Sequence, residues 1–335
     1  MPQSQGTTNL SRGTLKLPLL EEVRRACRQV AEQADSVEID TAAIDSYAAA
    51  LPPDRLLQPE MEPAVHYLWH GRETVAYYFT LGAVNFGSGY FPEILTNHRK
   101  SGYRLIAAAL TRHFAGYGPI PPENLRRMSL ADCTRLFRLK FTNHAVQELM
   151  KLYTRALNDL GGFVCDRFDG DFSGVVEAAG RSVERLVQLL ASMPLLDDRA
   201  HYRGMTVPFY KRAQLNAADL CIAFAGQGVG RFDDIDRLTI CADNLVPHVL
   251  RQDGILRYRD DLAERIDRGE PLAAGSPEEV EIRTCSVYAG ELLVEALQRR
   301  GVRVNAMTLD NFLWHRGQGT AYRARPRHLT RTTFY

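Results

Sequence analysis

Two charged residues of this chain stand where an ordinary surface charge is poorly placed. In "DIDRLTICADNLVPHVL", residues 234–250, Asp243 precedes Pro247 by four residues. Proline has no N–H for the carbonyl four residues back, so a helix running through this stretch is expected to kink at Asp243. Leu238, Cys241, Ala242, Leu245 and Val249 draw one apolar stripe, and Asp243 lies off its centre as a carboxylate bordering the core. Upstream, in "VPFYKRAQLNAADLCIAF", residues 207–224, Pro208 is expected to open a helix with Leu215, Ala218, Ile222 and Ala225 as its buried stripe. Lys211 then falls in the first turn, where the positive end of the helix disfavours a cation and an acidic partner would stabilise it. The intervening "GQGVGRFDD", residues 226–234, allows the two helices to fold back as a hairpin and bring Lys211 to Asp243. The plainer reading of each is a solvated surface charge. These segments alone leave both readings open.

A third stretch offers recognition in place of acid or base chemistry. "FTLGAVNFGSGYFPEI", residues 79–94, resists a helical reading and sets Gly87, Ser88 and Gly89 among Phe86, Tyr90 and Phe91. Glycines there permit a sharp turn or a close approach of backbone to a ligand, and the rings suit stacking on a flat heterocycle. The pattern is neither a phosphate-cradling loop nor a dinucleotide fingerprint. The six cysteines show no CxxC or CxxH spacing and sit among apolar positions. Neither disulfides nor a metal site is expected.

The elements that must position these residues read as mainly α. Helical spacing recurs in "LPLLEEVRRACRQVAEQA", "GYRLIAAALTRHFA", "AVQELMKLYTRALNDLG", "FSGVVEAAGRSVERLVQLLASM", "EEVEIRTCSVYAGELLVEALQRRG" and "MTLDNFLWHRG", while strict period-two segments are few. Gly161, Gly226 and Gly301 close several of these at the position after the helix end. Residues 1–15 are expected to be a disordered lead, and residues 16–335 one helical domain, in one lobe or in two with the site between them. With 41 basic and 40 acidic residues the net charge is +1, so no global field recruits nucleic acid and any polyanion site must be local. There is no long apolar run and no signal-like apolar stretch in residues 1–15, and the protein is expected to stay in the cytoplasm.

The order of "FYKRAQ", "FDDIDRLTICAD", "VPHVL", "GILRY", "SPEEVEIR", "LDNFLW" and the terminal "TFY", together with "VNFGSGYFP" and "SGYRLIAAAL", resembles the queuosine salvage family from about residue 60 onward. The resemblance implies a multi-helix fold similar to helix-hairpin-helix DNA glycosylases. It implies hydrolysis of the N-glycosidic bond of queuosine 5′-monophosphate, without a cofactor, releasing queuine for reuse in tRNA modification. Carried over, Asp243 would stabilise the oxocarbenium-like ribose or aim the attacking water, with Lys211 as its charge partner or a donor to substrate. Asp310 and Trp314, at i and i+4 on a presumed helix, would hydrogen-bond and stack on a guanine-like base. His66, Asn85, Phe86, Phe209, Cys241 and Asn244 would complete the substrate contacts. Arg327, in a tail that also carries Arg323, Arg325, His328 and Arg331, would hold the 5′-phosphate.

Two positions depart from the family pattern, Gly82 where an aspartate is usual and Cys241 where a phenylalanine is, and both are expected to touch the base pocket. The rival functions are a DNA base-excision glycosylase, which would need a basic surface and a flipping wedge, and a non-catalytic binder of modified nucleosides. The expected partner is the small nucleotide, with no membrane and no stable nucleic-acid complex.

Overall fold

A computed structural model describes residues 17–95, 101–140 and 143–335. The expected lead over residues 1–15 lies outside the described residues. The chain is mainly helical. Leu19–Ala31 buries Leu20, Val23, Cys27 and Val30, the spacing that one helical stripe demands, and packs against the long helix Pro277–Arg299. Gly102–Tyr117, His144–Phe168, Lys211–Ala223 and Ala306–Gly317 follow the expected segments. No helix among the described residues is long and apolar enough to cross a membrane.

Several expectations change. "FSGVVEAAGRSVERLVQLLASM" is two helices, Phe172–Ala179 and Val183–Leu190, because Gly180 and Arg181 both adopt positive φ (57° and 60°). Gly161 does not close a helix. It sits inside His144–Phe168 where the backbone of Arg126 presses so close that a Cβ would meet its nitrogen at 2.2 Å. The stretch at 79–94 is helical in its first part, since the helix Arg72–Val84 runs through it. Every residue from Thr74 to Val84 is buried, so the helix has no polar face and therefore no amphipathic period to read.

Strands are short. Val37–Ile39 pairs antiparallel with Leu256–Tyr258, Val37 opposite Tyr258, and Arg199–Tyr202 pairs antiparallel with Met205–Pro208, Arg199 opposite Pro208. The second pair delivers the chain directly to the start of Lys211–Ala223, so Pro208 ends a strand and does not open the helix.

Buried apolar side chains form two clusters. One joins Leu19–Ala31, Arg72–Val84, His144–Phe168 and Lys211–Ala223; the other gathers Val246–Gln252, most of Pro277–Arg299 and Ala306–Gly317. Leu238 and Ala242 belong to the first cluster and Ile240 and Leu245 to the second. The segment carrying Asp243 thus threads between them.

Candidate active site

Lys211 stands at the first position of its helix, after Tyr210, which takes a left-handed φ of 50°. Asp198 takes the backbone N–H groups of three successive residues there. Its backbone oxygen accepts from Phe209 N (2.9 Å) and Tyr210 N (3.3 Å), and its Oδ2 accepts from Lys211 N (3.1 Å). The carboxylate that complements this helix end is therefore Asp198, bound to the backbone of Lys211. Among the described residues no hydrogen bond or ion pair joins the Lys211 side chain to Asp243. Buried to 5% exposure, that side chain lines a cavity and acts by its field on Asp219 and Asp310.

Asp243 is not at a helix kink. Residues 238–242 have no regular structure, and the helix begins at Val246 with Pro247 in its first turn, where a missing N–H costs nothing. Asp243 Oδ1 accepts from Leu245 N (2.7 Å) and Val246 N (3.0 Å). The carboxylate thus satisfies the donors of the turn that starts the helix, and its second oxygen is left for the cavity. The segment before it is buried yet neither helix nor strand, so side chains must take up its backbone polar groups. Gln214 does so at Thr239 N (2.8 Å), Asp310 Oδ1 at Cys241 N (2.8 Å), and Arg283 Nε at Ala242 O (3.1 Å).

Arg283 also meets Asp198 in a two-pronged pair, Nη1 to Oδ1 at 3.0 Å and Nη2 to Oδ2 at 2.7 Å. Burial would lower the pKa of this arginine, but Asp198 and Glu279 more than reverse that and hold it charged. Tyr335 donates to Glu279 Oε1 (2.8 Å), and its ring lies under the guanidinium. A second buried cation, Arg212, donates to Gly82 O (3.2 Å) and Ala83 O (2.7 Å), carbonyls left open at the end of Arg72–Val84, and lies over the Phe86 ring at 4.7 Å. Burial pushes Arg212 down to about 9.

These supports enclose a cavity of about 380 Å³. Asp243, Lys211 and Asp310 line it, and the charges of the first two act on the third. Burial, followed by the charge of Asp243, pushes the Asp310 carboxyl up to about 8. One wall is aromatic: His66, Tyr103 and Trp314, with Tyr103 edge-on to the indole at 5.4 Å. His66 Nδ1 accepts from Glu62 N (3.1 Å), which leaves Nε2–H to donate to the Tyr103 hydroxyl (2.8 Å). Burial lowers this imidazole to about 4, so it is neutral. Asn85, Phe86, Arg323 and Arg327 line the cavity as well. Burial lowers Arg327, and the charge of Asp243 opposes that shift. Among the described residues, no group of three or more His, Cys, Asp or Glu side chains is placed to hold a metal ion.

The cavity brings together Asp243, Lys211, His66, Asn85, Phe86, Cys241, Asn244, Asp310, Trp314 and Arg327. Phe209 lies outside it, buried with its ring 3.8 Å from the Arg283 guanidinium carbon. Of the other basic residues named in the tail, Arg323 lines the cavity and the rest do not. Arg331 pairs with Glu93 and Glu148, His328 is buried beside Tyr335, and Arg325 is exposed. Gly82 is also elsewhere: it faces Lys211–Ala223, where a Cβ would meet the Asn216 amide nitrogen at 2.1 Å. The glycines of the 87–89 turn admit protein and not ligand, since a Cβ on Gly89 would meet Thr330 O at 2.2 Å. Sequence reasoning missed Asp219, Gln214, Tyr103 and the Asp198–Arg283 pair. Asp219 was within reach, being two turns beyond Lys211 on the same helical face.

The family model described as queuosine salvage protein matches residues 65–335. Over 314 residues the chain is 38% identical to a Sphaerobacter thermophilus protein named queuosine 5′-phosphate N-glycosylase/hydrolase, covering 92% of this chain and 96% of that one. A Mus musculus protein of the same name is 34% identical over 247 residues, covering 70% of this chain and 72% of its own length. One from Nematostella vectensis is 26% identical over 334 residues, 92% of this chain and 93% of that protein.

Proposed function

The chain belongs to the queuosine salvage protein family, and from that membership we infer that it is an N-glycosyl hydrolase releasing queuine from queuosine 5′-monophosphate. One observation supports Asp243 as the centre of the chemistry. Its Oδ1 is clamped by two backbone N–H groups, no partner among the described residues takes its Oδ2, and the residue lines the same cavity as Lys211. A carboxylate fixed in this way stabilises positive charge at C1′ without having to reorganise as the bond breaks.

In the reaction, the electron pair of the C1′–N bond leaves with the base, and a water adds to C1′ and gives up a proton. Asp243 faces the oxocarbenium-like sugar and steers or deprotonates that water. The departing 7-deazaguanine carries carbon at position 7, so it cannot be activated by protonation there as an ordinary purine can. An acid must act at another ring atom or at O6. Asp310, raised to about 8, is protonated at neutral pH, and because Oδ1 is taken by Cys241 N its other oxygen can present the proton. Lys211 donates a hydrogen bond to substrate; hydrolysis needs no Schiff base from it. Phe86 and Trp314 stack on the base, and Arg327 binds the phosphate.

The helical arrangement is read as kin to the helix-hairpin-helix DNA glycosylases, and residues 16–335 as one domain, in one lobe or in two with the site between them. Superposition on a solved glycosylase of that class tests the first reading. For the activity, the full chain is incubated with queuosine 5′-monophosphate, free queuosine and lesion-bearing DNA, and released base is separated by chromatography. Queuine from the nucleotide is the expected product. Base release from DNA alone, or binding of the nucleotide without turnover, would assign the site to one of its rivals.

A further inference from the structure

Of the carboxylates that line the cavity, Asp243 and Asp310 serve the mechanism, Glu62 is paired with Arg104 and Glu60 is exposed, which leaves Asp219. Asp219 lies two turns beyond Lys211 on the same helix, beside Leu215, Ala218 and Ile222, all facing the cavity. These are residues whose spacing reads as a core stripe. Leu215 and Ile222 are only partly buried because the space opposite them is the cavity and not another helix. Among the described residues no hydrogen bond or ion pair reaches the Asp219 carboxylate. Burial raises it to about 7, and the field of Lys211 opposes the shift only in part. A carboxylate kept in an enclosed wall without a partner is costly to the empty protein. A ligand cation would supply the missing partner.

The charges in the cavity are ordered. Arg327 feels Asp243 and Arg323, and Asp310 feels Asp243, Lys211 and Asp219. Asp219 in turn is the foremost charge acting on Tyr103 and Tyr78. Arg327 is thus coupled to Asp243, while Asp219 is coupled to Lys211, Asp310 and the aromatic wall. The arginine end fits a phosphate and the centre fits the scissile bond. Queuosine differs from guanosine by a secondary amine, protonated at neutral pH, that hangs from position 7 of the ring and carries a cyclopentene diol. Its two charges are thus at opposite ends of the molecule, in the same order as the complementary charges of the cavity.

We propose that Asp219 forms a subsite for this ammonium group, with Tyr103 and His66 against the cyclopentene ring. The proposal rests on the reading of the site as a queuosine 5′-phosphate hydrolase. A carboxylate could instead read the N–H edge of the guanine-like ring. Asp310, which shares its field with both Asp243 and Lys211, is nearer to the bond being broken and is better placed for that edge. A charge-assisted contact to the ammonium makes Asp219 a specificity residue, selecting the substituted base over the bare one.

The test compares wild type with Asp219→Asn and Asp219→Glu in the full chain. Two quantities are read: kcat/KM for queuosine 5′-monophosphate, and the inhibition constant of 7-deazaguanosine 5′-monophosphate, which lacks the amine and is used as a competitor so that its own cleavage is not required. For Asp219→Asn, kcat/KM falls about tenfold or more, mainly through KM, while the competitor binds within about twofold of its wild-type strength. Asp219→Glu, keeping the charge, recovers part of the loss. The melting temperature of Asp219→Asn does not drop, because an unpartnered charge has been removed. Equal losses for both compounds would assign Asp219 to the ring edge and overturn the proposal, as would an unchanged kcat/KM. If wild type itself released no queuine, the activity reading would fall and this subsite with it, a result distinct from an active wild type with an indifferent variant.

Discussion

Arg283 and Asp198 form one buried ion pair that holds the segments of both Lys211 and Asp243: Asp198 takes the backbone N–H of Lys211, and Arg283 takes the carbonyl of Ala242, the residue before Asp243. Both side chains are 2% exposed. Removing one partner leaves the other charged, buried and unpaired, a loss of ~3–5 kcal/mol. Asp198→Asn and Arg283→Met are therefore expected to unfold at markedly lower denaturant concentration. Each should also lose more in kcat than in KM, because Lys211 and Asp243 shift relative to each other while the cavity walls remain. Urea titration alongside saturating turnover measures both, and a stable variant with normal kcat would contradict the positioning role.

Asp243→Asn is expected to keep its fold, since the amide oxygen can still accept from Leu245 N and Val246 N, and to lose at least about a hundredfold in turnover. Lys211→Met should lose less, with no sugar adduct trapped on the parent enzyme by borohydride. Mass spectrometry of the treated protein decides the second point; a covalent adduct at Lys211 would make the reaction that of a lyase.

The raised Asp310 carboxyl has a pH signature of definite sign. Folded, it titrates at about 8; unfolded, near the ordinary value of about 4. Between those values the native chain holds a proton that the unfolded chain releases, so the stability from this group is full below about pH 4 and is lost as pH rises through about 8. Asp219, raised to about 7, contributes with the same sign and finishes earlier. Melting temperature should therefore fall from pH 5 to pH 8 more steeply in wild type than in Asp310→Asn. With Asp310 as the acid, kcat/KM declines above about pH 8, and the variant, slower throughout, lacks that limb.

Arg327 and Arg331 separate the two readings of the arginine-rich tail. Arg327 lines the cavity, whereas Arg331 is engaged by Glu93 and Glu148 on the outside. Queuosine 5′-monophosphate should exceed free queuosine in kcat/KM by about tenfold or more, from charge-assisted contacts of ~1.5–3 kcal/mol. Arg327→Gln shrinks that preference by slowing only the phosphorylated substrate, while Arg331→Gln keeps it. Loss of the preference in Arg331→Gln would mean that the phosphate is bound elsewhere on the tail.

What could be read from the sequence followed from local periodicity. The amphipathic helices Leu19–Ala31 and Pro277–Arg299 carry a face that declares itself, and Asp310 and Trp314 do lie on one helix with both side chains at the cavity. The segment around Asp243 misled because its apolar spacing is helical while its backbone bonds go to Gln214, Asp310 and Arg283, residues distant in sequence that no local pattern reveals. The sequence suggests a carboxylate partner for the Lys211 side chain in Asp243, whereas the carboxylate at this helix start is Asp198, thirteen residues upstream and across a strand pair, and it binds the backbone N–H of Lys211. Gly82 looked like a change in the base pocket and is a packing contact with Asn216. Distinguishing the two requires knowing which helix lies opposite.

The helix Arg72–Val84 has a consequence outside the native state. Its buried run "VAYYFTLGAV", residues 75–84, contains aromatic and branched residues with neither a charge nor a proline. Released from the core, such a run pairs readily with copies of itself as a strand, and only Arg72 and Glu73 stand at its edge as gatekeepers. Substitutions that weaken the fold anywhere will raise the population of chains exposing it. Their first visible effect is then insoluble protein in the expressing cell, with the molecules that remain in solution still able to turn over substrate.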